Sequence, residues 1–265
     1  MTIEIAVLAK QVLDSETPSH LFKINADSNN LEIEDNSAPI INGFDLNATE
    51  AALRLRDEGH EVNITVIMAG FNFVNEVINK TLSMGADNLI LIENESLISC
   101  DSSFTVEVLS KAINKIGNFD IILAGRHASD FDNGHVPIGI AERLRLPIIT
   151  YASDIKIIDS ILRIKRVIPS GYQFIESKSP CVVTVSNEIG EPRYPNLRGI
   201  MTATKKQPKI ITINDLEIEP PSEKEINLTK VFIPKINLDT EYIKGDDESE
   251  LGRNLAMRLK EEGLI

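Results

Sequence analysis

Twelve residues, Gly125-Arg126-His127-Ala128-Ser129-Asp130-Phe131-Asp132-Asn133-Gly134-His135-Val136, concentrate the side chains best suited to hold a ligand. They carry two glycines, two carboxylates, one arginine and two histidines. The segment leaves an apolar strand and enters a helix. A helix start offers free N–H groups to an anion, and Gly125 and Gly134 let backbone and ligand come close. Asp130 or Asp132 has the chemistry to accept from ribose hydroxyls. The same residues also suit a simple capped helix, with Asp132 or Asn133 as N-cap. Residue types alone leave both readings open.

Other chemistries lack support. Neither the Walker phosphate loop nor the dinucleotide Gly-x-Gly-x-x-Gly pattern occurs. His20, His60, His127 and His135 pair with no serine or cysteine in a nucleophile motif, and there is no Gly-x-Ser-x-Gly elbow. No catalytic residue is expected, and no Cys/His cluster has metal-ligand spacing. The net charge of -13 repels phosphate backbones, which argues against a nucleic-acid partner. Two cysteines, Cys100 and Cys181, make no disulfide framework. The N-terminus enters an apolar strand containing Glu4 without a basic leader, and no apolar run reaches membrane-spanning length. The expected location is cytoplasmic.

The elements that must position this stretch are readable from period. Apolar strands are expected at Ile3 to Leu8, Val62 to Met68, Asn88 to Ile92 and Ile121 to Ala124. Helices lie between them: one opened by an Asn42/Asp45 capping box and running to Glu58, one carrying Val74, Val77, Ile78 and Leu82, one carrying Phe104, Val108, Leu109 and Ala112, and one carrying Val136, Ile140, Ala141 and Leu144. Alternating strands and helices imply an α/β fold with a parallel sheet and helices on both faces. Ligands in such sheets bind beyond the carboxyl ends of the strands. The exits Ala9-Lys10, Ala69-Gly70 and Gly125-Arg126 therefore matter most.

Beyond residue 150 the pattern changes. Ile155 to Ile158 and Leu162 to Ile168 flank Asp159-Ser160 and read as a β-hairpin, with Tyr172 to Glu176 as a further antiparallel strand. Cys181 to Val185 reads as a buried strand returning to the sheet. Glu191 to Leu197 displays Arg193, Tyr194 and Leu197 on a proline-stiffened loop, residue types that suit either an interface or a loop tucked against its own domain. Lys205, Lys206 and Lys209 read as a solvated basic run. From Pro195 the chain shows little periodicity until an amphipathic helix over about residues 247–262, with Leu251, Leu255 and Leu259 on one face. Such an arm buries too little apolar surface to fold alone. The expected domains are 1–194, an α/β domain carrying the Gly125 to Val136 stretch, and 195–265, the loop end and an extended arm around a partner subunit.

Taken together, several motifs resemble the small (beta) subunit of electron-transferring flavoproteins. They are Ala9-Lys10-Gln11-Val12; Asn42-Gly43-Phe44-Asp45 with Ala48 and Glu50; Ser83-Met84-Gly85-Ala86-Asp87; Gly125 to Val136 with Ala141-Glu142; Asn187-Glu188; Glu191-Pro192-Arg193-Tyr194 with Leu197; and Ile200-Met201 with Lys205-Lys206. Their order and spacing run through about 200 residues. The resemblance implies a heterodimer with a large alpha subunit that contributes most contacts to a redox FAD. It implies that this chain holds AMP, or a second FAD in its place. The matching positions are Leu8, Ala9, Asn42, Gly43, Phe44, Asp45, Ala69 and Gly125 to Val136. It further implies that the loop with Arg193, Tyr194 and Leu197 docks an acyl-CoA dehydrogenase-like partner. The function implied is an electron carrier subunit rather than a conventional enzyme. Two alternatives accompany it: an electron-bifurcating flavoprotein subunit whose second FAD oxidises NADH, and a stand-alone adenine-nucleotide-binding protein.

The chain departs from the family pattern at three places. Gly43 stands where proline is common, Val167 stands where an acidic residue is common, and Asn133 to His135 with Pro137 replace the Thr-Ala-Gln and Gly of the bifurcating type. The last set falls where a second isoalloxazine ring is expected, which favours AMP.

Overall fold

The computed structural model describes residues 2–25, 30–33, 38–226, 229–234 and 240–265. Strands form where the chain runs apolar and β-branched, which suits a surface buried on both faces. β1 (Ile3–Ala9) is such a run, and β2 (Gln11–Val12), β3 (Phe22–Asn25), β4 (Asn30–Ile33) and β5 (Ile40–Ile41) follow as short additions. Next come α1 (Gly43–Asp57), β6 (Val62–Gly70), α2 (Asn75–Met84), β7 (Asn88–Glu93), the single-turn α3 (Ser96–Ser99), α4 (Ser102–Ile116), β8 (Ile121–Gly125) and α5 (His135–Leu144). β9 (Ile148–Ile158), β10 (Ile161–Ile168), β11 (Gly171–Ser177), β12 (Cys181–Val185), α6 (Leu197–Ala203), β13 (Lys209–Ile211) and α7 (Glu248–Glu261) complete the order.

Nine strands make one sheet in the order β11-β10-β9-β12-β8-β1-β6-β7-β13. β1 is parallel to both β6 and β8, and β12 is parallel to both β8 and β9. β10 and β11 add antiparallel strands, as the hairpin pattern predicts. Asp159 and Ser160 both adopt left-handed φ, 50° and 65°, which suits the two-residue turn between β9 and β10. Side chains alternate between the two faces of β1. Ile5 and Val7 pack with Ala52, Leu55 and Ile78 of α1 and α2. Ala6 and Leu8 pack with Phe104, Val108 and Ile140 of α4 and α5. The expected α/β fold, with helices on both faces of a mostly parallel sheet, is the one observed.

The chain runs from β1 outward to β6 and β7, then crosses back to place β8 on the other side of β1. Strand order therefore reverses between β1 and β8. Helices leave these two strands toward opposite faces, so their carboxyl ends open a crevice.

Four local expectations need correction. Asn42 stands at the N-cap position of α1, but its side chain makes no cap hydrogen bond. The N-cap of α5 is Gly134, in left-handed conformation, and neither Asp132 nor Asn133. The stretch after Pro195 holds regular structure: α6 lies on α2, with Gly199 against the Ser83 carbonyl, and β13 extends the sheet beside β7. Lys206 is not simply solvated, since its Nζ donates to the carbonyls of Ala86 and Asp87 at 2.9 and 2.8 Å.

The described chain forms two compact units, Met1–Thr229 and Lys230–Ile265. Residues 195–229 thus belong to the sheet-containing unit. In the second unit Asp247 caps α7 by accepting from Glu250 N at 2.7 Å, and no residue of α7 is buried. Leu251 and Leu255 are exposed. Among the described residues no helix is long and apolar enough to cross a membrane.

Candidate functional site at the strand switch point

The crevice is built from the N-terminus of α1 pressed against the exits of β1 and β8. Asp45, in the first turn of α1, is almost fully buried (6% exposed). Its Oδ2 accepts from the Lys10 backbone N–H at 2.8 Å, and its Oδ1 accepts from the Gly125 N–H at 3.0 Å. One carboxylate therefore ties together the two strands that flank the switch point. Asn42 does similar work one turn earlier. Its Nδ2 donates to the His127 carbonyl at 2.9 Å, and its Oδ1 accepts from Ser129 N at 3.3 Å. The Asn42 N–H also donates to the Lys10 carbonyl at 2.9 Å. The spacing that reads as a capping box is thus spent on another part of the chain.

Burial pushes the Asp45 carboxyl up to about 7, against the hydrogen bonds from Lys10 N, the Asn42 side chain and Gly125 N that hold it down. Gly125 has to be glycine at this contact. A Cβ there would lie 2.5 Å from Asp45 Oδ1 and 2.7 Å from Phe44 Cβ.

The loop after Gly125 folds over this base. The Arg126 guanidinium lies 4.5 Å from the Phe44 ring centre and 5.8 Å from that of Tyr151, both cation–π distances. The His127 ring meets Phe44 edge-on at 4.6 Å, and its Nε2 lies 3.1 Å from Asp132 Oδ1. Lys10 reaches over from β1 to Asp130 at 2.6 Å, with its ammonium 5.5 Å from the Phe131 ring. Gly134, with φ of 60°, starts α5 and leaves the first turn without a side-chain cap. A Cβ there would meet the Arg126 carbonyl at 2.9 Å.

Most of the residues singled out from sequence gather here. Leu8, Ala9, Asn42, Gly43, Phe44, Asp45, Gly125, Arg126, His127, Ala128, Ser129 and Asp130 belong to the two strand exits and the start of α1. Asp132 joins through His127. Ala69 sits near the end of β6, on the far side of β1. Val136 packs on the α4/α5 core, while His135 turns to the start of α4, where its Nδ1 lies 2.6 Å from Ser102 Oγ. Neither aspartate of the loop is idle, since Asp130 holds Lys10 and Asp132 holds His127.

Lys10 is named among the strand exits and Glu188 within a motif, but Tyr151 escapes sequence reasoning. Tyr151 interrupts β9 with φ of 59°, where the register against β12 shifts, and remains exposed beside Arg126. The run Ile148-Ile149-Thr150-Tyr151-Ala152 gives no sign of that bulge. Glu188 follows β12. The Ser186 hydroxyl donates to its carboxylate and, with the charge of Arg126 as a smaller contribution, holds it below the usual carboxylate range.

The crevice can hold an anionic, ring-bearing ligand. Arg126 Nε is buried and finds no hydrogen-bond partner among the described residues. The uncapped first turn of α5 adds N–H groups, and Phe44, Tyr151 and Phe131 supply ring faces. These features fit the phosphate and base of a nucleotide.

The loop with Arg193, Tyr194 and Leu197 is arranged differently. Arg193 turns inward, donating from Nε at 2.7 Å and from its second terminal nitrogen at 3.1 Å to the Glu50 carboxylate, and to Asp57 at 2.6 Å. Arg54 donates to Glu50 at 3.0 Å, and Asn47 donates to the Gly190 carbonyl at 2.8 Å. Burial works to raise the Glu50 carboxyl, but Arg193 and Arg54 outweigh it and hold it below its ordinary value. Tyr194 and Leu197 stand out from this clamp, 91% and 80% exposed, beside the exposed Met201.

Fold and crevice define the class: a doubly wound α/β protein with a crevice at the β1/β8 switch point. The model of the electron transfer flavoprotein domain matches residues 30–216. The chain is 32% identical over 267 residues to the caffeyl-CoA reductase-Etf complex subunit CarD of Acetobacterium woodii, covering 99% of this chain and 100% of that one. It is 37% identical over 219 residues to the electron transfer flavoprotein subunit beta of Thermoanaerobacterium thermosaccharolyticum (82% and 81% covered). It is 31% identical over 239 residues to the acryloyl-CoA reductase electron transfer subunit gamma of Anaerotignum propionicum (86% and 89% covered). The chain belongs to the electron transfer flavoprotein family, among its beta subunits.

Proposed function

We propose that this chain pairs with an alpha subunit in the cytoplasm, holds AMP in the β1/β8 crevice and helps shape the alpha subunit's FAD site. The observation that carries the nucleotide reading is the crevice itself. It combines an unpartnered buried Arg126 Nε, the uncapped start of α5 and the ring faces of Phe44 and Tyr151. Arg126 and the backbone of Gly134 to Val136 would hold phosphate, and Asn42 to Asp45 would form the floor. The FAD supplies the redox chemistry, and the protein supplies orientation and electrostatics. No side chain of this chain acts as acid, base or nucleophile. A dehydrogenase of the acyl-CoA type docks at Tyr194 and Leu197, whose exposure on a clamped loop suits an anchoring pair. The arm from residue 230, whose α7 buries no side chain in its own unit, embraces the alpha subunit.

A second reading has its own support. The full-length similarity to a subunit named for a caffeyl-CoA reductase-Etf complex favours a bifurcating flavoprotein, with a second FAD replacing AMP and oxidising NADH. One experiment separates the readings. The chain is purified with its co-purifying subunit, denatured, and its released nucleotides counted. One FAD and one AMP support the carrier; two FAD and no AMP support bifurcation. A stable flavin-free monomer sinks both and leaves a stand-alone nucleotide-binding protein.

A further inference from the structure

The crevice is assembled around one carboxylate, and we infer that Asp45 is a positioning residue that makes nucleotide affinity depend on pH by holding the exits of β1 and β8 in register. The inference rests on the nucleotide reading of the crevice and adds a regulation to it. Asp45 Oδ1 and Oδ2 accept from Gly125 N and Lys10 N, one on each side of the switch point. As a carboxylate it satisfies both donors. Once protonated it carries an O–H in place of one acceptor, and one of the two N–H groups loses its full partner. The Gly125 end is the start of the loop that carries Arg126 and leads to α5, so loosening it displaces the groups that would hold phosphate. The Asn42 side chain, which also favours the ionised Asp45, cannot take over the freed N–H, because its Oδ1 already accepts from Ser129 N and its Nδ2 donates to the His127 carbonyl.

The surroundings allow this titration near neutrality. Asp45 is buried against Phe44 and Gly125, and its compensation comes mainly from dipoles. The charged groups facing it are few. From β1, the Lys10 ammonium is held by Asp130. From the β8 exit, the Arg126 guanidinium lies over Phe44, and the His127 imidazole is paired with Asp132. Glu188, after β12, acts on Arg126. None of these carboxylates or cations makes a direct ion pair with Asp45 among the described residues.

The test uses the full chain with its co-purifying subunit, stripped of nucleotide. AMP and FAD affinities are measured by calorimetry from about pH 8 to about pH 6. If only the ionised form is competent, a carboxyl titrating at about 7 makes the favoured nucleotide bind about tenfold more weakly at the acid end. Asp45→Asn binds weakly at every pH and loses the slope, while His127→Gln keeps it. Amide hydrogen exchange supplies a readout that needs no ligand. In Asp45→Asn the amides of Lys10 and Gly125 exchange faster, whereas those of Val66 and Ile122 in the core do not. An Asp45→Asn protein that retains the wild-type pH slope overturns the inference, as does affinity that rises toward acid, which would mean that repulsion between Asp45 and phosphate outweighs positioning. Absence of AMP and FAD binding at any pH instead defeats the nucleotide reading. In that case the exchange of the two amides still decides whether Asp45 holds the strand exits.

Discussion

Asp45 and Glu50 lie on the same helix, five positions apart and almost equally buried, and they organise two different regions by opposite means. Asp45 ties the crevice together with backbone N–H groups, and its carboxyl is raised to about 7. Glu50 clamps the 187–194 loop with two guanidinium groups, and its carboxyl is lowered. Dipoles offset less of the desolvation of a charge than neighbouring cations do. The crevice is therefore held by a group whose charge is marginal near neutrality. The 187–194 loop is held by one that stays charged through the neutral range. One region is sensitive to its environment, and the other is a fixed mount.

Four measurements sharpen or break this comparison. The largest effect concerns Asp45. A carboxyl raised in the fold from 3.8 to about 7 contributes stability that is whole below its unfolded value and lost as pH rises through its folded value. The displacement of three units is worth up to about 4 kcal/mol. Denaturant unfolding should show wild type losing about that much relative to Asp45→Asn between about pH 4 and about pH 8. A constant difference would dissolve the contrast with Glu50. For Glu50 the sign reverses, since its lowered carboxyl stabilises above its unfolded value and fails only as pH falls through the folded one. Removing it leaves two arginines short of a partner, and Glu50→Ala should cost about 3 kcal/mol and speed proteolysis between residues 187 and 197. Unchanged cleavage would mean that the loop is held by other contacts.

Gly125→Ala comes next. Its Cβ collides with Asp45 and Phe44, and overpacking of this kind costs about 2 kcal/mol, accompanied by weaker nucleotide retention. Normal retention would show that the crevice tolerates a shift of α1. Leu197→Ala should be smallest in stability, within about 0.5 kcal/mol, because the side chain is exposed. It should slow electron transfer from the dehydrogenase with flavin content unchanged. Flavin loss would make the loop structural.

The βαβ alternation was legible because each strand is buried on both faces and each helix presents one apolar stripe. Ile3 to Leu8 and Phe104 to Ile116 carry that information locally. The stretch after Pro195 was not legible as structure. In α6 the apolar residues Leu197, Ile200 and Met201 point outward, and its packing on α2 depends on Gly199 and Ala203, small residues that leave no periodic signal. The same limit applied to Tyr151, whose left-handed backbone comes from a register shift against β12.

Sequence by itself determined the α/β class, the strand–helix alternation of the first 150 residues and, through shared motifs, the family. These rest on period, spacing and residue type, which are properties of the chain alone. Tertiary structure decided what Asn42 and Asp45 do. Their spacing is that of a helix cap, yet their partners are Lys10, Gly125, His127 and Ser129, up to 87 residues away in sequence. A side chain's acceptor capacity is written in its type, but which N–H reaches it first depends on how the sheet is wound, and here the reversal between β1 and β8 brings two strand exits within reach of one carboxylate.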